Sequence, residues 1–214
     1  MKIRWLDIGV IAAMYAFAVA VYSRLPAEVP VHFELSGRAD GWAPRFPGAF
    51  LCPLFATALV LLLPALIRVD PRRQNFERFG PELRLLITIL VLFMAWVEVF
   101  SLGSALGWPM DVGAASLVGL GALLAAVGNY LPRIRSNWWV GIRTPWTLEN
   151  DRVWRETHRV GGRAFVAAGL AMAASALLPE DVRVWVAGAA LAVATVVPVA
   201  YSYVSWRRHG GRAA

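Results

Sequence analysis

Long apolar runs separated by polar segments dominate the chain. The runs lie at Leu6–Tyr22, Ala49–Ile67, Leu85–Leu102, Val112–Leu131, Ala164–Leu178 and Val184–Trp206. Most of them approach the ~20 apolar residues that a helix needs to cross a ~30 Å hydrocarbon core. The pattern predicts an all-α integral membrane protein, a transmembrane bundle of six helices.

The first long connection, residues 23–48, has a different period. Val29, Val31, Phe33 and Leu35 alternate with Pro30, His32, Glu34 and Ser36. This alternation predicts a short, half-buried strand. Gly37 and the Asp40-Gly41 pair indicate turns, and Trp42 is expected to seat the return segment at the lipid headgroups. We therefore expect a small β-like extracellular loop that lies on the membrane.

The second long connection, residues 132–162, is rich in both arginine and tryptophan. Its tryptophans are Trp138, Trp139, Trp146 and Trp154. Tryptophan at this density is typical of a membrane–water interface. Thr144-Pro145 and Thr147 indicate a helix start. From about Asn150 onward, the spacing predicts a short cytoplasmic interfacial helix that ends or bends at Gly161-Gly162, before the fifth span.

The distribution of basic residues orients the bundle. Of the 21 Lys and Arg residues, all but Arg24, Arg38, Arg45 and Arg183 fall on one side if both termini share it. By the positive-inside rule, that side is the cytoplasm. We therefore expect a multi-pass membrane protein with cytoplasmic termini. The first run also resembles a signal peptide, although Asp7 interrupts its start. The basic segment 68–84 is expected to be a solvated topology anchor.

Composition narrows the classes of function. With 58% hydrophobic residues and a net charge of +7, the excess of basic residues is explained by loops that face anionic lipid, and direct nucleic-acid binding is disfavoured. Cys52 is the single cysteine, which excludes an intrachain disulfide and a Cys-rich metal site. The zinc-protease, phosphate-loop and catalytic-triad motifs are missing. No cofactor, metal or enzymatic activity is expected.

A few polar residues are candidates for a site. Glu98 lies inside the third run, and an intramembrane carboxylate either serves a ligand or proton or forms a structural pair, here with Arg24 or Arg183. His32 and Glu34 share one face of the predicted strand. Two such ligands make a weak metal site, so we expect these residues, with Asp40 and Trp42, to bind another kind of ligand.

The segment between the fourth and fifth runs carries a motif. It reads Gly128-Asn129-Tyr130-Leu131-Pro132, Asn137, Gly141-Ile142-Arg143-Thr144-Pro145-Trp146-Thr147, Val153-Trp154 and Thr157-His158-Arg159, followed by Gly161-Gly162. This motif resembles the signature of the SdpI family of bacterial multi-pass proteins. The stretch Leu25 to Phe33, with Gly37, Asp40, Gly41 and Trp42, is similar to the amino-terminal domain that often accompanies that signature.

The resemblance implies a membrane immunity protein and receptor. Such a protein binds a secreted antimicrobial peptide outside and recruits a cytoplasmic transcriptional repressor inside. For the inner contact, the exposed stripe of Arg152, Arg155 and Arg159 is the candidate surface, with anionic lipid as its alternative partner. The resemblance also implies the domain organisation: an amino-terminal two-span unit (1–68), a third span with its basic inner loop (69–111), an SdpI-like core (112–206) and a basic tail (207–214).

Two other classes of function stay open. One is a small-solute or ion transporter or channel in which Glu98 is the coupling residue, although no run is clearly broken at the midplane. The other is a passive bundle that modulates lipid or a partner protein. Protection of a sensitive bacterium from a membrane-active peptide distinguishes an immunity protein from both.

Overall fold

A computed structural model describes residues 4–209, which form helices and one two-stranded sheet. The α-helices are α1 (Trp5–Val21), α2 (Arg45–Arg68), α3 (Arg73–Glu77), α4 (Gly80–Ala105), α5 (Val112–Tyr130), α6 (Pro145–Glu149), α7 (Asp151–Ser175) and α8 (Glu180–Arg208). The strands β1 (Glu28–Phe33) and β2 (Ala39–Pro44) pair antiparallel. Short 3-10 turns follow α1 and α5 at Tyr22–Arg24 and Leu131–Arg133.

The long helices run alternately up and down, so the connections collect at two ends. The hairpin end holds the β1–β2 hairpin and the segments that lead into α5 and α8. The opposite end holds α3, residues 131–150 with α6, and the first turns of α7, which together we call the loop platform. The predicted small β-like loop is present, although Pro30 is buried beside Val29, so the alternation is imperfect. A register irregularity after Pro30 explains this departure, because an extra residue shifts the faces of a strand.

Two groups of helices share the buried core. Around α1, α2 and α4, the core includes Met14, Ala56 and Val91, and it continues to Trp154 in the loop platform. Around α5, α7 and α8 the core is built mainly from small residues, among them Ala168 and Ala190. Small side chains allow helices to approach closely in a membrane, where packing rather than the hydrophobic effect drives association.

Glycines set the closest approach, which is between α5 and α7. A Cβ atom added to Gly121 would lie 2.5 Å from the carbonyl oxygen of Gly169. Likewise, a Cβ on Gly162 would lie 2.7 Å from the carbonyl oxygen of Gly128. The backbones therefore touch at two points along the pair. Small residues at the interface of the two helices permit this close packing.

Five helices in the described chain are long and apolar enough to cross a membrane: Trp5–Arg24, Arg45–Arg68, Gly80–Ala105, Val112–Arg133 and Glu180–Arg208. They correspond to five of the six predicted spans, and they support a membrane protein. The remaining predicted span, Ala164–Leu178, belongs to α7. That helix is not in the set because its first half is strongly charged.

The predicted break at Gly161-Gly162 is wrong. Helix α7 runs without interruption for 25 residues, through both glycines. The glycines serve close packing: a Cβ on Gly161 would meet Ile142 and Pro198, while Gly162 lies against α5. Tertiary contacts thus override the weak helix propensity of the pair, and the predicted interfacial helix and fifth span are one element.

Candidate functional site

The hairpin presents its polar side chains to the outside. Gly37 turns the chain with φ of 92°, a conformation that favours glycine. Nδ1 of His32 and Oδ1 of Asp40 lie 2.5 Å apart across the strands, and both side chains are exposed. Trp42 is also exposed. The binding role of these three residues stays a prediction, as does the seating of Trp42 at the lipid headgroups.

A groove separates the hairpin tip from the start of α8. It has a volume of about 710 Å³ and is lined by Glu34, Leu35, Ser36, Arg38, Glu180, Asp181, Val184 and Trp185. Three carboxylates face one guanidinium, and Glu34 and Arg38 lie 3.9 Å apart as an exposed pair. Trp185 is 81% exposed at its edge. Of the predicted outer ligand residues, only Glu34 lines this groove.

An ion pair fixes α8 beside the groove. Nη1 and Nη2 of Arg183 donate to the two carboxylate oxygens of Asp111 at 2.6 and 3.0 Å. The same carboxylate accepts the N–H of Ala114 and so caps α5. These hydrogen bonds, that of Arg183 first, hold the pKa of Asp111 below its usual range. Gly113 leaves room for both the guanidinium and the hairpin tip at Ser36.

Glu98 does not form the predicted pair. The carboxylate is 2% exposed, and its Oε1 has no hydrogen-bond partner among residues 4–209. Arg183 is occupied by Asp111, an acid in a connection that the sequence pattern did not single out. One turn further along α4, the Ser101 hydroxyl donates to the carbonyl of Pro30 at 2.6 Å and ties the hairpin to the bundle. Glu98 is therefore a buried carboxyl group near the hairpin end.

The loop platform is organised around Asn137, which is fully buried. Its Nδ2 donates to the carbonyls of Arg135 and Val140 at 2.8 and 2.9 Å. Its Oδ1 accepts the N–H groups of Trp139 and Val140 at 2.8 and 2.7 Å. A single side chain therefore satisfies four backbone groups of an irregular segment, which explains its place in the motif.

Gly141 and His158, two further residues of the motif, lie in direct contact. Gly141 has φ of 121° and lies directly against the imidazole ring. Nε2 of His158 accepts the N–H of Ile142 at 3.0 Å, so Nδ1 carries the proton and donates to the carbonyl of Trp154 at 2.8 Å. The ring stacks on the indole of Trp154, with the two ring centroids 4.1 Å apart. Burial lowers the pKa of His158 to about 4.

The predicted helix start at Thr144 is confirmed. Thr144 caps α6, and its hydroxyl and that of Thr147 each bond the other's backbone N–H. Pro145 occupies the first helical position, where a missing N–H costs nothing. The Thr144 hydroxyl also donates to Ser202 of α8 at 3.1 Å, and Trp146 packs on Tyr203. These contacts attach the platform to α8.

The segment between α2 and α4 is more than a solvated topology anchor, so that expectation is wrong. Asp70 accepts the N–H of Trp138 at 2.9 Å. Arg72 donates to the Ser136 hydroxyl and, at 2.7 Å, to the carbonyl of Leu148. Phe76 and Phe79 are buried beneath. Basic composition alone concealed this role, since the partners lie more than 60 residues away in sequence.

The remaining motif residues lie at the surface. Arg143 is exposed and donates to the carbonyl of Trp138 at 2.5 Å. Asn129 and Pro132 line a shallow, mainly apolar hollow between α5 and α7. Arg155 and Arg159 are exposed on α7, as is Arg152, which pairs with Glu156 at 3.2 Å. No ion pair joins Asp151 and Arg155 within residues 4–209, although they lie four residues apart on the same helix.

The apolar helices, the hairpin and the platform together define a multi-pass membrane protein. Residues 133–202 match the SdpI/YfhL protein family, and residues 9–57 match a domain of unknown function, DUF1648. The family resemblance predicted from the motifs is thereby confirmed.

The chain is also similar to the immunity protein SdpI of Bacillus subtilis (strain 168). The two share 21% identity over 214 residues, which cover 99% of each chain. By its name, that relative is an immunity protein. No solved structure matches the chain.

Proposed function

We propose that this protein is an SdpI-type immunity protein that binds a secreted antimicrobial peptide at the outer face of the cell membrane. The observation that carries the proposal is the full-length similarity to an immunity protein, which extends over both the hairpin and the platform. The excess of arginine around the platform supports a cytoplasmic position for that end and an outer position for the hairpin.

In this arrangement the bundle crosses the bacterial inner membrane six times, with both termini inside. The sixth crossing is α7, whose 25 residues are long enough for the hydrocarbon core although its first half is charged. Because α7 lies between α5 and α8, part of its surface is covered by protein and needs less hydrophobicity than a lipid-facing helix. Single cysteines at Ser36 and Asn75, in a protein without Cys52, test the orientation: an impermeant thiol reagent applied to intact cells labels the first and not the second.

The groove between the hairpin tip and α8 is the proposed peptide site. Glu34, Glu180 and Asp181 give it a negative charge, and Trp185 and Val184 give it an apolar edge. Such a surface is complementary to a cationic, amphipathic peptide, because acidic groups steer the charged ligand while an exposed aromatic anchors it. His32, Asp40 and Trp42 lie on the hairpin outside the groove and form a second proposed contact surface.

A survival assay tests both surfaces. A sensitive bacterium that expresses the protein is challenged with a cationic membrane-active peptide, and membrane abundance is measured in parallel. We expect Glu180→Gln with Asp181→Asn to lower protection at unchanged abundance, and His32→Ala or Asp40→Ala to do so more weakly. Glu28→Gln, an exposed acid on β1 outside the groove, is the matched control. Full protection by the groove variant excludes the groove as the binding site.

At the inner face we propose that the arginine stripe of α7 recruits a transcriptional repressor. Arg152, Arg155 and Arg159 are exposed and suit bidentate contacts with carboxylates of an acidic partner. Arg152→Glu with Arg159→Glu should abolish capture of a regulator in a membrane-fraction pull-down while leaving peptide protection intact. Arg73→Glu is the control for charge reversal in the other loop. If the double variant captures the same regulator, the stripe contacts anionic lipid instead.

A second candidate function rests on Glu98. A buried carboxyl group whose Oε1 lacks a partner is typical of proton- or ion-coupled sites in membranes. Under this alternative, Glu98→Gln abolishes solute or proton flux in proteoliposomes and does not alter peptide binding. An immunity protein in which Glu98 is structural shows no flux in either form.

A further inference from the structure

A small polar pocket lies inside the loop platform, where the end of α3, residues 134–136 and the start of α7 meet. Its polar lining is Asn75, Arg78, Arg135, Ser136, Asp151 and Arg155. We propose that this pocket binds a phosphate-type oxyanion, either the phosphate of an anionic lipid headgroup or a free phosphate. The proposal does not depend on peptide immunity.

Charge is the first reason. Three guanidinium groups from three different segments, Arg78, Arg135 and Arg155, meet one carboxylate, Asp151. None of the three guanidinium groups has a hydrogen-bond or ion-pair partner within the described residues, and Asp151 and Arg155 stay unpaired although they are four residues apart on α7. Arginine presents planar, bidentate donors that match phosphate oxygens. The pocket therefore holds an excess of two positive charges with its donors unused.

Ser136 provides an independent reason. The side chain is 4% exposed, and its Oγ accepts a hydrogen bond from Arg72. Within residues 4–209 the hydroxyl donates to no acceptor, so its hydrogen is left for a group inside the pocket. A buried hydroxyl without an acceptor is costly, and an oxyanion oxygen would satisfy it.

The walls of the pocket are held in place by the platform. Asn75 donates to the carbonyl of Ser136 at 2.8 Å, and Arg72 bridges Ser136 and Leu148 from behind. The indole of Trp154, which forms the floor, donates to the carbonyl of Ile134 at 2.8 Å. Because these contacts exist without a ligand, binding needs little rearrangement.

Size limits the ligand. The pocket encloses about 80 Å³, more than the ~30 Å³ share of one water molecule and far less than the ~300 Å³ of a typical small-molecule site. One tetrahedral oxyanion fits, while the rest of a lipid would extend out of the pocket. A nucleotide base or a peptide segment does not fit.

Thermal unfolding of the purified full-length protein tests the proposal. In neutral detergent, inorganic phosphate is titrated against chloride at matched ionic strength. In a second arm, nanodiscs of phosphatidylcholine are compared with nanodiscs that also contain phosphatidylglycerol. We expect the anion to raise Tm, since a ligand that binds only the folded state stabilises it. Arg135→Ala or Arg155→Ala should each weaken the apparent affinity about tenfold, as expected for one lost charge-assisted contact.

Two further variants complete the test. Arg73→Ala removes an exposed arginine of α3 that does not line the pocket and should bind as the unaltered protein does. Ser136→Ala should weaken binding although the three arginines are unchanged. Arg155→Lys keeps the positive charge and is the conservative control for misfolding of the Arg155→Ala variant. A response to inorganic phosphate supports a general oxyanion site, and a response to phosphatidylglycerol alone supports a lipid headgroup site. No response in either arm, or equal loss in Arg73→Ala, overturns the proposal.

Discussion

The two ends of the bundle use polar groups in opposite ways. At the hairpin end, the contact between His32 and Asp40 and the ion pair of Glu34 with Arg38 lie at the surface. In the loop platform, Asn137, Thr147 and His158 are fully buried and bonded to backbone groups. Buried polar networks specify one structure, whereas exposed charges remain available to a ligand. We infer that the buried motif residues of the platform shape the fold and that the exposed hairpin residues serve recognition of an outer ligand.

The largest expected effect is that of Asn137→Ala. The substitution leaves four backbone groups of residues 135–140 without their partner, and each buried unsatisfied group costs roughly 1–3 kcal/mol. Partial rehydration reduces the sum, so we expect a loss of about 4 kcal/mol in the free energy of unfolding, measured by denaturant titration in detergent. Asn129→Ala, at an exposed motif position, should change it by less than ~0.5 kcal/mol. Similar losses in the free energy of unfolding for the two variants would contradict the inference that buried motif residues stabilise the fold more than exposed ones.

The next effect is a pH dependence of the platform. His158 has a pKa of about 4 in the folded protein and near 6.5 when unfolded, so between these values the unfolded chain binds the additional proton. Stability is fully present above pH 6.5 and declines as pH falls toward 4, by up to ~3 kcal/mol. The measurement is unfolding free energy across that range. His158→Gln should remove this slope, and a slope that persists in this variant would assign it to another group.

A smaller effect is expected at the hairpin end. Asp111→Asn keeps the shape of the α5 cap but removes the charge beside the buried guanidinium of Arg183. We expect a loss of about 1–2 kcal/mol and faster amide exchange around residues 34–38, with the platform unaffected. Because folding lowers the pKa of Asp111, the stabilisation by its carboxylate is complete above the unfolded pKa of 3.8. That stabilisation is lost as pH falls through the lower folded pKa. Equal changes in amide exchange at the hairpin end and in the platform would show that the two regions are not independent.

Hydropathy predicted much of the fold and less of the sites. Five spans, the hairpin and the cap at Thr144 follow from local patterns, because periodicity and capping chemistry act over a few residues. The continuity of α7 through Gly161-Gly162 does not, since it depends on packing against α5 and α8. A pair of glycines is compatible both with the end of a helix and with a closely packed helix, so the local sequence does not distinguish the two.

Polar contacts between distant segments were still harder to predict from the sequence. Asp111 with Arg183, and Arg72 with Ser136, join residues 72 and 64 positions apart. Their charges gave no indication of a partner, and the sequence favoured Glu98 for Arg183 on the basis of membrane depth alone. The motif located Asn137 and His158 correctly, yet only their hydrogen bonds explain why asparagine and neutral histidine are required there.

The uninterrupted course of α7 has a mechanical consequence. At 25 residues, the helix is a rod roughly 37 Å long, with its first turns inside the platform and its last turn beside the connection into α8. For a straight helix of this length, a tilt of about 5° about one end displaces the other end by roughly 3 Å. Since Gly121 and Gly128 lie in close backbone contact with the same helix, we expect α5 to follow such a tilt.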